Sequence, residues 1–198
     1  MKVYGDIISG NCYKVALTCA LLDIEHQWVK MDLLKGDART PEFKAKNPVA
    51  KTPTIELDDG RTLWESNAII NYLANDTNLM PNDAWVKAKI QQWQFFEQYS
   101  HEPFIAVARF INKYLGLPED RKAEYKSKQT GGHKALQLME QQLEQTPYLV
   151  GDQLTTADIS LYAYTHVAHE GGFDLSGYPA INAWMGRIQQ HEKYIGME

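Results

Sequence analysis

Cysteine is scarce in this sequence: only Cys12 and Cys19 occur among 198 residues. Two cysteines cannot supply the disulfide framework that holds many small secreted proteins together. Their spacing fits one helix, which separates them by about 10 Å along its axis and prevents a bond between them. We therefore expect reduced thiols and a cytoplasmic protein.

Long apolar runs and blocks of positive charge are also missing. No apolar run approaches the roughly 18 residues that suggest a membrane-spanning helix. The first residues, Met1 to Asp6, lack the apolar core of a signal peptide. The formal net charge is −5 and no basic cluster occurs. We therefore expect neither a membrane nor a nucleic acid as a partner.

The composition that remains is that of an ordinary globular protein. Hydrophobic residues make up 44% of the chain and charged residues 23%, which is close to the average for folded domains. A chain of this length can form one large domain or two small ones. A sizeable core is expected.

Strand and helix patterns alternate over roughly the first 75 residues. Strands are predicted at residues 2–8, 24–33, 54–57 and 61–63, and helices at residues 12–22, from Pro41 onward and at about 65–74. The last two strands form a hairpin on the turn Asp58-Asp59-Gly60. The order is βαβαββα, and the first strands should be parallel neighbours with right-handed crossovers.

Helical patterns fill the rest of the chain. Helices are predicted over residues 86–114 with a bend at His101-Glu102-Pro103, over 118–145 with a weak point at Gly131-Gly132, after Thr155, and over 179–191. Turn formers and a proline make residues 76–85 a linker. The predicted domains are therefore residues 1–76 and 86–198, joined by residues 77–85.

The segment from Leu154 to Ile159 is a strong helix-start signal. Thr155 can be the N-cap and Asp158 its capping-box partner, while Leu154 and Ile159 occupy the positions of a hydrophobic staple. The helix that follows is apolar on most sides, which indicates burial. We expect it to be the central helix of an all-α domain.

Two short stretches carry the candidate binding chemistry. In Lys51-Thr52-Pro53 a proline stands at the start of a strand, where a cis peptide bond costs little. A cis turn would leave the backbone of Thr52 free to pair with an extended ligand. Glu65-Ser66-Asn67 runs into a helix whose first N–H groups, with the Ser66 hydroxyl, can bind an anion. Together they suit a short peptide with a free carboxylate, although ordinary strand and helix caps would give the same pattern.

Four motifs in order make the whole chain resemble the cytosolic glutathione transferases of the serine type, with similarity to bacterial theta- and phi-like members. They are Ser9-Gly10-Asn11-Cys12-Tyr13-Lys14-Val15, Asn47-Pro48 with Lys51-Thr52-Pro53, Glu65-Ser66-Asn67-Ala68-Ile69, and Gly151-Asp152 with Thr155 and Asp158. The resemblance implies a thioredoxin-like α/β N-terminal domain followed by an all-α domain. It also implies a detoxifying homodimer that uses glutathione as co-substrate and no metal.

The resemblance implies a role for particular residues. Ser9 would donate its hydroxyl to the glutathione sulfur and favour the thiolate, which then attacks a small apolar electrophile. The implied glutathione-binding residues are Asn11, Arg39, Lys51, Thr52, Pro53, Glu65 and Ser66. The implied second-substrate pocket contains Ile8, His101, Phe104 and Arg109.

Several alternatives stay open at this point. Asn11 or Cys12 could approach the sulfur in place of Ser9, and the same site could serve a glutathione-dependent peroxidase or disulfide reductase. A transferase-shaped binding module without chemistry is the third possibility. The pair His166 and His169 lacks the further ligands of a metal site. The aromatic residues between Trp85 and Tyr99 fit a helical core, or in part a dimer contact.

Overall fold

The computed structural model describes residues 1–32 and 35–197. The chain divides into two compact units, the first formed by Met1–Asn75 with the C-terminal segment from Glu192, and the second by Asp76–His191. The sequence analysis assigned that C-terminal segment to the helical domain. In the structure the Tyr13 hydroxyl donates to the Ile195 carbonyl at 2.7 Å, which attaches the segment to the first unit.

The first unit has the predicted order βαβαββα. Its strands are β1 (Lys2–Gly5), β2 (Gln27–Lys30), β3 (Thr54–Glu56) and β4 (Thr62–Trp64), and its helices are α1 (Gly10–Leu21), α2 (Pro41–Lys46) and α3 (Ser66–Leu73). The first two strands are shorter than predicted: β1 ends at Gly5, and β2 begins at Gln27 and ends at Lys30. Leu33, the predicted end of β2, lies outside the described residues.

The sheet is mixed, with strand order β2-β1-β3-β4. The first two strands are parallel, as predicted, and β3 pairs antiparallel with both β1 and β4. A short parallel pair joined by a helix and extended by a hairpin is the thioredoxin-like arrangement, so that prediction is confirmed. Because β1 and β3 are antiparallel neighbours, the loop after β1 and the turn before β3 lie at the same end of the sheet.

Helix α1 is buried on nearly every side. Of its twelve residues ten are buried, including Val15, Leu17 and Cys19. The turn that precedes it is closed by the Ser9 N–H, which donates to the Asp6 carbonyl at 3.0 Å. This turn ends the first strand pattern earlier than the sequence suggests, and it fixes Ser9 at the helix start.

Within the described residues the second unit contains five α-helices, joined by loops and by short 3₁₀- and π-helical segments. They are α4 (Ala84–Phe96), α5 (Glu102–Arg109), α6 (Lys122–Leu143), α7 (Thr156–Thr165) and α8 (Pro179–Gln189). Across residues 1–32 and 35–197, none of the helices is both long enough and apolar enough to span a bilayer.

The helix predicted over residues 86–114 is interrupted by one π-helical turn, Glu97–His101, and ends in a second, Phe110–Tyr114. The first of these lies at the predicted bend. Pro103 stands near the beginning of α5, where a missing N–H is tolerated. Insertions of this kind rotate the side chains that follow them, so a 3.6-residue repeat cannot place residues 101–114 reliably.

The expectation of a weak point at Gly131-Gly132 is wrong, because α6 runs through both glycines without a break. A Cβ on Gly131 would lie 2.2 Å from the Phe104 ring, and one on Gly132 would lie 2.2 Å from the Phe173 ring. The glycines therefore admit two aromatic rings against the helix. Their small size is the requirement, not their flexibility.

Helix α7 is the buried central helix that the sequence predicts, since all ten of its residues are buried. The capping box is present: the Thr155 N–H donates to Asp158 Oδ2 at 2.9 Å. The same carboxylate accepts from the Leu149 N–H at 2.9 Å and from Trp184 Nε1 at 3.0 Å. Asp158 therefore joins the helix start to two other segments of the unit.

Candidate functional site

Ser9 is the N-cap residue of α1, in extended backbone conformation, and is partly exposed. Within the described chain its hydroxyl makes no capping bond to the first turn of the helix. A serine at an N-cap ordinarily uses its hydroxyl in that way. Its position at the start of a helix also places it where the partial positive charge of the helix is concentrated. Such a hydroxyl can donate to an anion held at this point.

A hydrogen-bonded triangle connects the start of α1 with the start of α3. The Ser66 hydroxyl donates to Asn11 Oδ1 at 3.0 Å. Lys14 Nζ donates to the same oxygen at 2.9 Å and lies 3.4 Å from Ser66 Oγ. Two of the predicted glutathione-binding residues, Asn11 and Ser66, are thus in direct contact, although they are far apart in the sequence.

The start of α3 has an unusual backbone. Glu65, its N-cap residue, has a φ of 70° and a ψ of 111°, a left-handed φ that non-glycine residues rarely adopt. Such conformations persist where the surrounding structure holds them, often at binding sites. The Glu65 side chain is exposed and Ser66 is buried. The first N–H groups of α3 lack acceptors within the helix itself, as at any helix start, and can bind a carboxylate.

The turn before β3 contains the predicted proline, and the Thr52–Pro53 peptide bond is cis. Asn47 organises this turn from a position that is 1% exposed. Its Nδ2 group donates to the Lys51 carbonyl at 2.8 Å and to Thr54 Oγ1 at 3.0 Å, and its Oδ1 accepts from the Val49 N–H at 2.9 Å. The motif Asn47-Pro48 therefore has a structural role that its residue types alone do not reveal.

Arg39, Lys51 and Thr52 lie around one cleft of about 290 Å³, together with Gly36, Ala38 and Ala50. Both cationic side chains are exposed. Arginine and lysine beside an open backbone segment form a suitable site for a second carboxylate. The cleft brings together three of the residues for which the sequence predicts glutathione binding.

Cys12 occupies a buried position in the first turn of α1. A Cβ on Gly5 would lie 2.5 Å from the Cys12 sulfur and 3.6 Å from Thr52 Cβ, so the thiol is wedged between β1 and the turn before β3. Burial raises the pKa of this thiol, although the hydroxyls of Thr52 and Ser9 act in the opposite direction. A thiol with a raised pKa is a weak nucleophile near neutral pH.

The residues predicted for a second-substrate pocket have different surroundings. Ile8 precedes α1 and is 43% exposed. His101 is fully buried in the second unit, where its Nε2 lies 2.9 Å from Thr165 Oγ1. Arg109 is 3% exposed, and its Nε donates to Glu170 Oε2 at 2.5 Å.

Phe104 is half-buried, with its ring against Gly131. His101, Phe104 and Arg109 thus pack among other residues of their own unit, and their assignment to a pocket stays a prediction.

Lys14 contacts two of the predicted glutathione-binding residues, Asn11 and Ser66, and the sequence analysis did not include it among them. The sequence signal is that Lys14 is the only charged residue of α1, a helix in which apolar residues predominate. Lysine is rarely buried without a partner, so residue type alone predicts an exposed side chain between Tyr13 and Val15. The contacts with Asn11 and Ser66 give its ammonium group polar partners in this buried position.

No metal centre is evident in the described residues. Across residues 1–32 and 35–197, no three side chains of the His, Cys, Asp or Glu type are grouped as metal ligands. His166 is the C-cap residue of α7, and His169 lies in the 3₁₀-helix Ala168–Gly171. Burial lowers the pKa of His166 to about 4, and its Nδ1 lies 2.8 Å from the Tyr162 carbonyl.

Family models identify both halves of the chain. The model of the glutathione S-transferase N-terminal domain matches residues 8–76. The model of the glutathione S-transferase C-terminal domain matches residues 93–192. The two matches follow one another along the chain and together include most of it.

Individual relatives agree with the family models. A crystal structure of a glutathione S-transferase from Pseudomonas fluorescens Pf-5 is 57% identical with a TM-score of 0.98, over 99% of this chain and 98% of that one. A glutathione S-transferase-like protein, LUC7, from a Fusarium species is 32% identical over 97% of this chain and 90% of its own. The disulfide-bond oxidoreductase YfcG from Escherichia coli is 27% identical over 90% of this chain and 86% of its own.

Proposed function

The chain belongs to the glutathione S-transferase family, and from that premise we propose that it conjugates the glutathione thiolate to small apolar electrophiles. The observation that carries the proposal is the junction of three segments in the first unit. The start of α1, the turn before β3 and the start of α3 converge through Asn11, Ser66 and the Cys12–Thr52 contact. Each of the three segments offers polar groups that can bind a different part of glutathione.

We propose that the two carboxylates of glutathione occupy two different places. The γ-glutamyl end would bind at Glu65 and Ser66, where the first N–H groups of α3 meet a buried hydroxyl. The glycine carboxylate would bind at Arg39 and Lys51, which are exposed on one cleft. The cysteinyl unit would then pair with the backbone of Thr52, beside Pro53.

In this arrangement the glutathione sulfur is held near Ser9, with Asn11 close by in the same turn of helix. The hydroxyl of Ser9 would donate to the thiolate, and the thiol proton would leave to solvent. A free thiol has a pKa of about 8.5, and one hydrogen bond with a nearby helix start can lower it by about a unit. The thiolate then forms a bond to the electrophilic carbon while the leaving group departs. Positioning of both substrates supplies the rest of the acceleration.

The test compares wild type with Ser9→Ala. Glutathione binding is measured by calorimetry, and turnover is measured with a chloroarene that releases chloride on conjugation. We expect both proteins to bind glutathione and only the wild type to turn over rapidly, since the hydroxyl acts on the sulfur and not on the peptide ends. Full turnover by Ser9→Ala would mean that Asn11, Cys12 or the backbone stabilises the glutathione thiolate. Failure of wild type to bind would favour a binding module without chemistry.

A second candidate activity is glutathione-dependent reduction of a peroxide or a disulfide at the same site. It is favoured by the similarity to the disulfide-bond oxidoreductase YfcG. Two glutathione molecules would reduce one disulfide and leave as oxidised glutathione. Parallel assays with the chloroarene and with a small dialkyl disulfide separate the two activities, and the faster substrate class at equal concentration decides between them.

We also propose that the protein is a cytoplasmic homodimer. The free thiols of Cys12 and Cys19 suit a reducing compartment. Large aromatic side chains are exposed on α4 and the π-helical turn after it: Trp85 is 74%, Phe95 64% and Tyr99 82% exposed. Large exposed aromatic side chains are enriched at protein interfaces. Light scattering after size exclusion should give twice the 22.6 kDa chain mass, and the value for a single chain would refute the dimer.

A further inference from the structure

Lys14 is completely buried within α1. Lysine is rarely buried unless its ammonium group has partners that replace water. Its position in the middle of an apolar helix therefore requires a compensating set of polar atoms, and the structure provides them at the starts of α1 and α3.

The geometry around this ammonium fixes the orientation of a neighbouring amide. An ammonium has three donors and no acceptor, so the branch of the Asn11 carboxamide that lies 2.9 Å from Nζ must be the oxygen. The Ser66 hydroxyl donates to the same oxygen. The Nδ2 group of Asn11 therefore points away from Lys14 and Ser66. Flipping the side-chain amide would break both of these hydrogen bonds.

The ammonium also provides a positive charge beside the first residue of α3. Nζ lies 3.4 Å from Ser66 Oγ, and Ser66 is 6% exposed. A carboxylate bound to the first N–H groups of α3 would compete with Asn11 for the hydrogen of the Ser66 hydroxyl. Lys14 would then keep its hydrogen bond to Asn11 Oδ1 and face the carboxylate across Ser66. Charges separated from bulk water interact more strongly than exposed ones.

We propose that Lys14 is a positioning residue for the α-carboxylate at the glutamyl end of glutathione, acting through Ser66 and Asn11. This inference rests on the proposed function, because it assumes that glutathione binds with its glutamyl end at the start of α3. It assigns the buried charge to ligand selection and separates Lys14 from Arg39 and Lys51, which face the other carboxylate.

The experiment measures binding of two ligands to two proteins by calorimetry. The ligands are glutathione and γ-aminobutyryl-cysteinyl-glycine, which is glutathione without its α-carboxylate. The proteins are wild type and Lys14→Met, which keeps the length of the side chain and removes the charge. The control variant is Lys30→Met, since Lys30 is exposed on the edge strand β2.

We expect Lys14→Met to weaken glutathione binding about tenfold or more and to change binding of the analogue less than about twofold. Lys30→Met should bind both ligands like wild type. Equal weakening of both ligands, or no weakening of either, would overturn the inference and leave the proposed function intact. Failure of wild type to bind glutathione would overturn both.

A measurement on wild type alone covers the case in which Lys14→Met does not fold. In protein labelled with ¹⁵N-lysine, a fully buried ammonium exchanges its protons slowly and gives a resolved signal. That signal should shift when glutathione is added and stay in place when the analogue is added. An unchanged signal in saturating glutathione would refute the role of Lys14.

Discussion

Asp158 should be the most sensitive single position in the helical unit. Its Oδ1 accepts from the Leu149 N–H at 2.9 Å and from Trp184 Nε1 at 3.0 Å, and its Oδ2 accepts from the N–H and the hydroxyl of Thr155, both at 2.9 Å. All of these residues are nearly inaccessible to water. Replacing Asp158 by alanine would leave four buried donors without their acceptor.

The magnitude follows from these contacts. A buried donor without an acceptor costs about 1–3 kcal/mol, so Asp158→Ala should lower the free energy of unfolding by roughly 4 kcal/mol or more. That is a large part of the roughly 5–15 kcal/mol typical of a folded protein. Asp158→Asn keeps one oxygen, and thus about half of the hydrogen bonds, so it should cost roughly 2 kcal/mol.

Urea denaturation followed by far-ultraviolet circular dichroism measures both changes. The matched control is Asp152→Ala, since Asp152 is exposed in the loop before the same helix and should change stability by less than about 0.5 kcal/mol. If Asp158→Ala unfolded at the same urea concentration as Asp152→Ala, the carboxylate would not connect the three segments as described.

Three other predictions concern pH, packing and chemistry. Burial lowers the pKa of His166 from 6.5 to about 4. The contribution of its neutral form to the free energy of unfolding is therefore complete above pH 6.5 and is lost as the pH falls toward 4. The loss should reach about 3 kcal/mol, seen in urea midpoints across that range, and His166→Gln should flatten the dependence. Gly132→Ala should cost roughly 1–3 kcal/mol by displacing the buried Phe173 ring, and more than Gly131→Ala, whose neighbouring ring is only half-buried; equal thermal midpoints would contradict this. Cys12→Ser should keep its conjugation rate, because the thiol is buried with a raised pKa; a severe loss in the chloroarene assay would assign Cys12 a direct role.

Features with local causes could be predicted from the sequence. The start of α7 was predictable because Thr155 and Asp158 are only three residues apart and their hydrogen bonds form within one turn. The cis bond at Pro53 and the helix start at Ser66 also depend on short motifs. The parallel pairing of the first two strands follows from their connection by a helix.

Features with distant causes could not be predicted. The reason for Gly131 and Gly132 within the continuous helix α6 is their contact with the rings of Phe104 and Phe173, which lie elsewhere in the chain. The π-helical turns displace the helical repeat from residue 97 onward. The sequence alone predicts an exposed side chain for Lys14, because its neighbour Ser66 is 52 residues away in the chain.

The claim that Ser9 stabilises a thiolate is tested most directly by titrating the thiol of bound glutathione. The ultraviolet absorbance of the thiolate is recorded against pH in wild type and in Ser9→Ala, each saturated with glutathione. Wild type should show a pKa about a unit or more below the free value of about 8.5, and Ser9→Ala should return toward the free value. A bound thiol that titrates like free glutathione in wild type, or one with the same lowered pKa in both proteins, would contradict the role of Ser9.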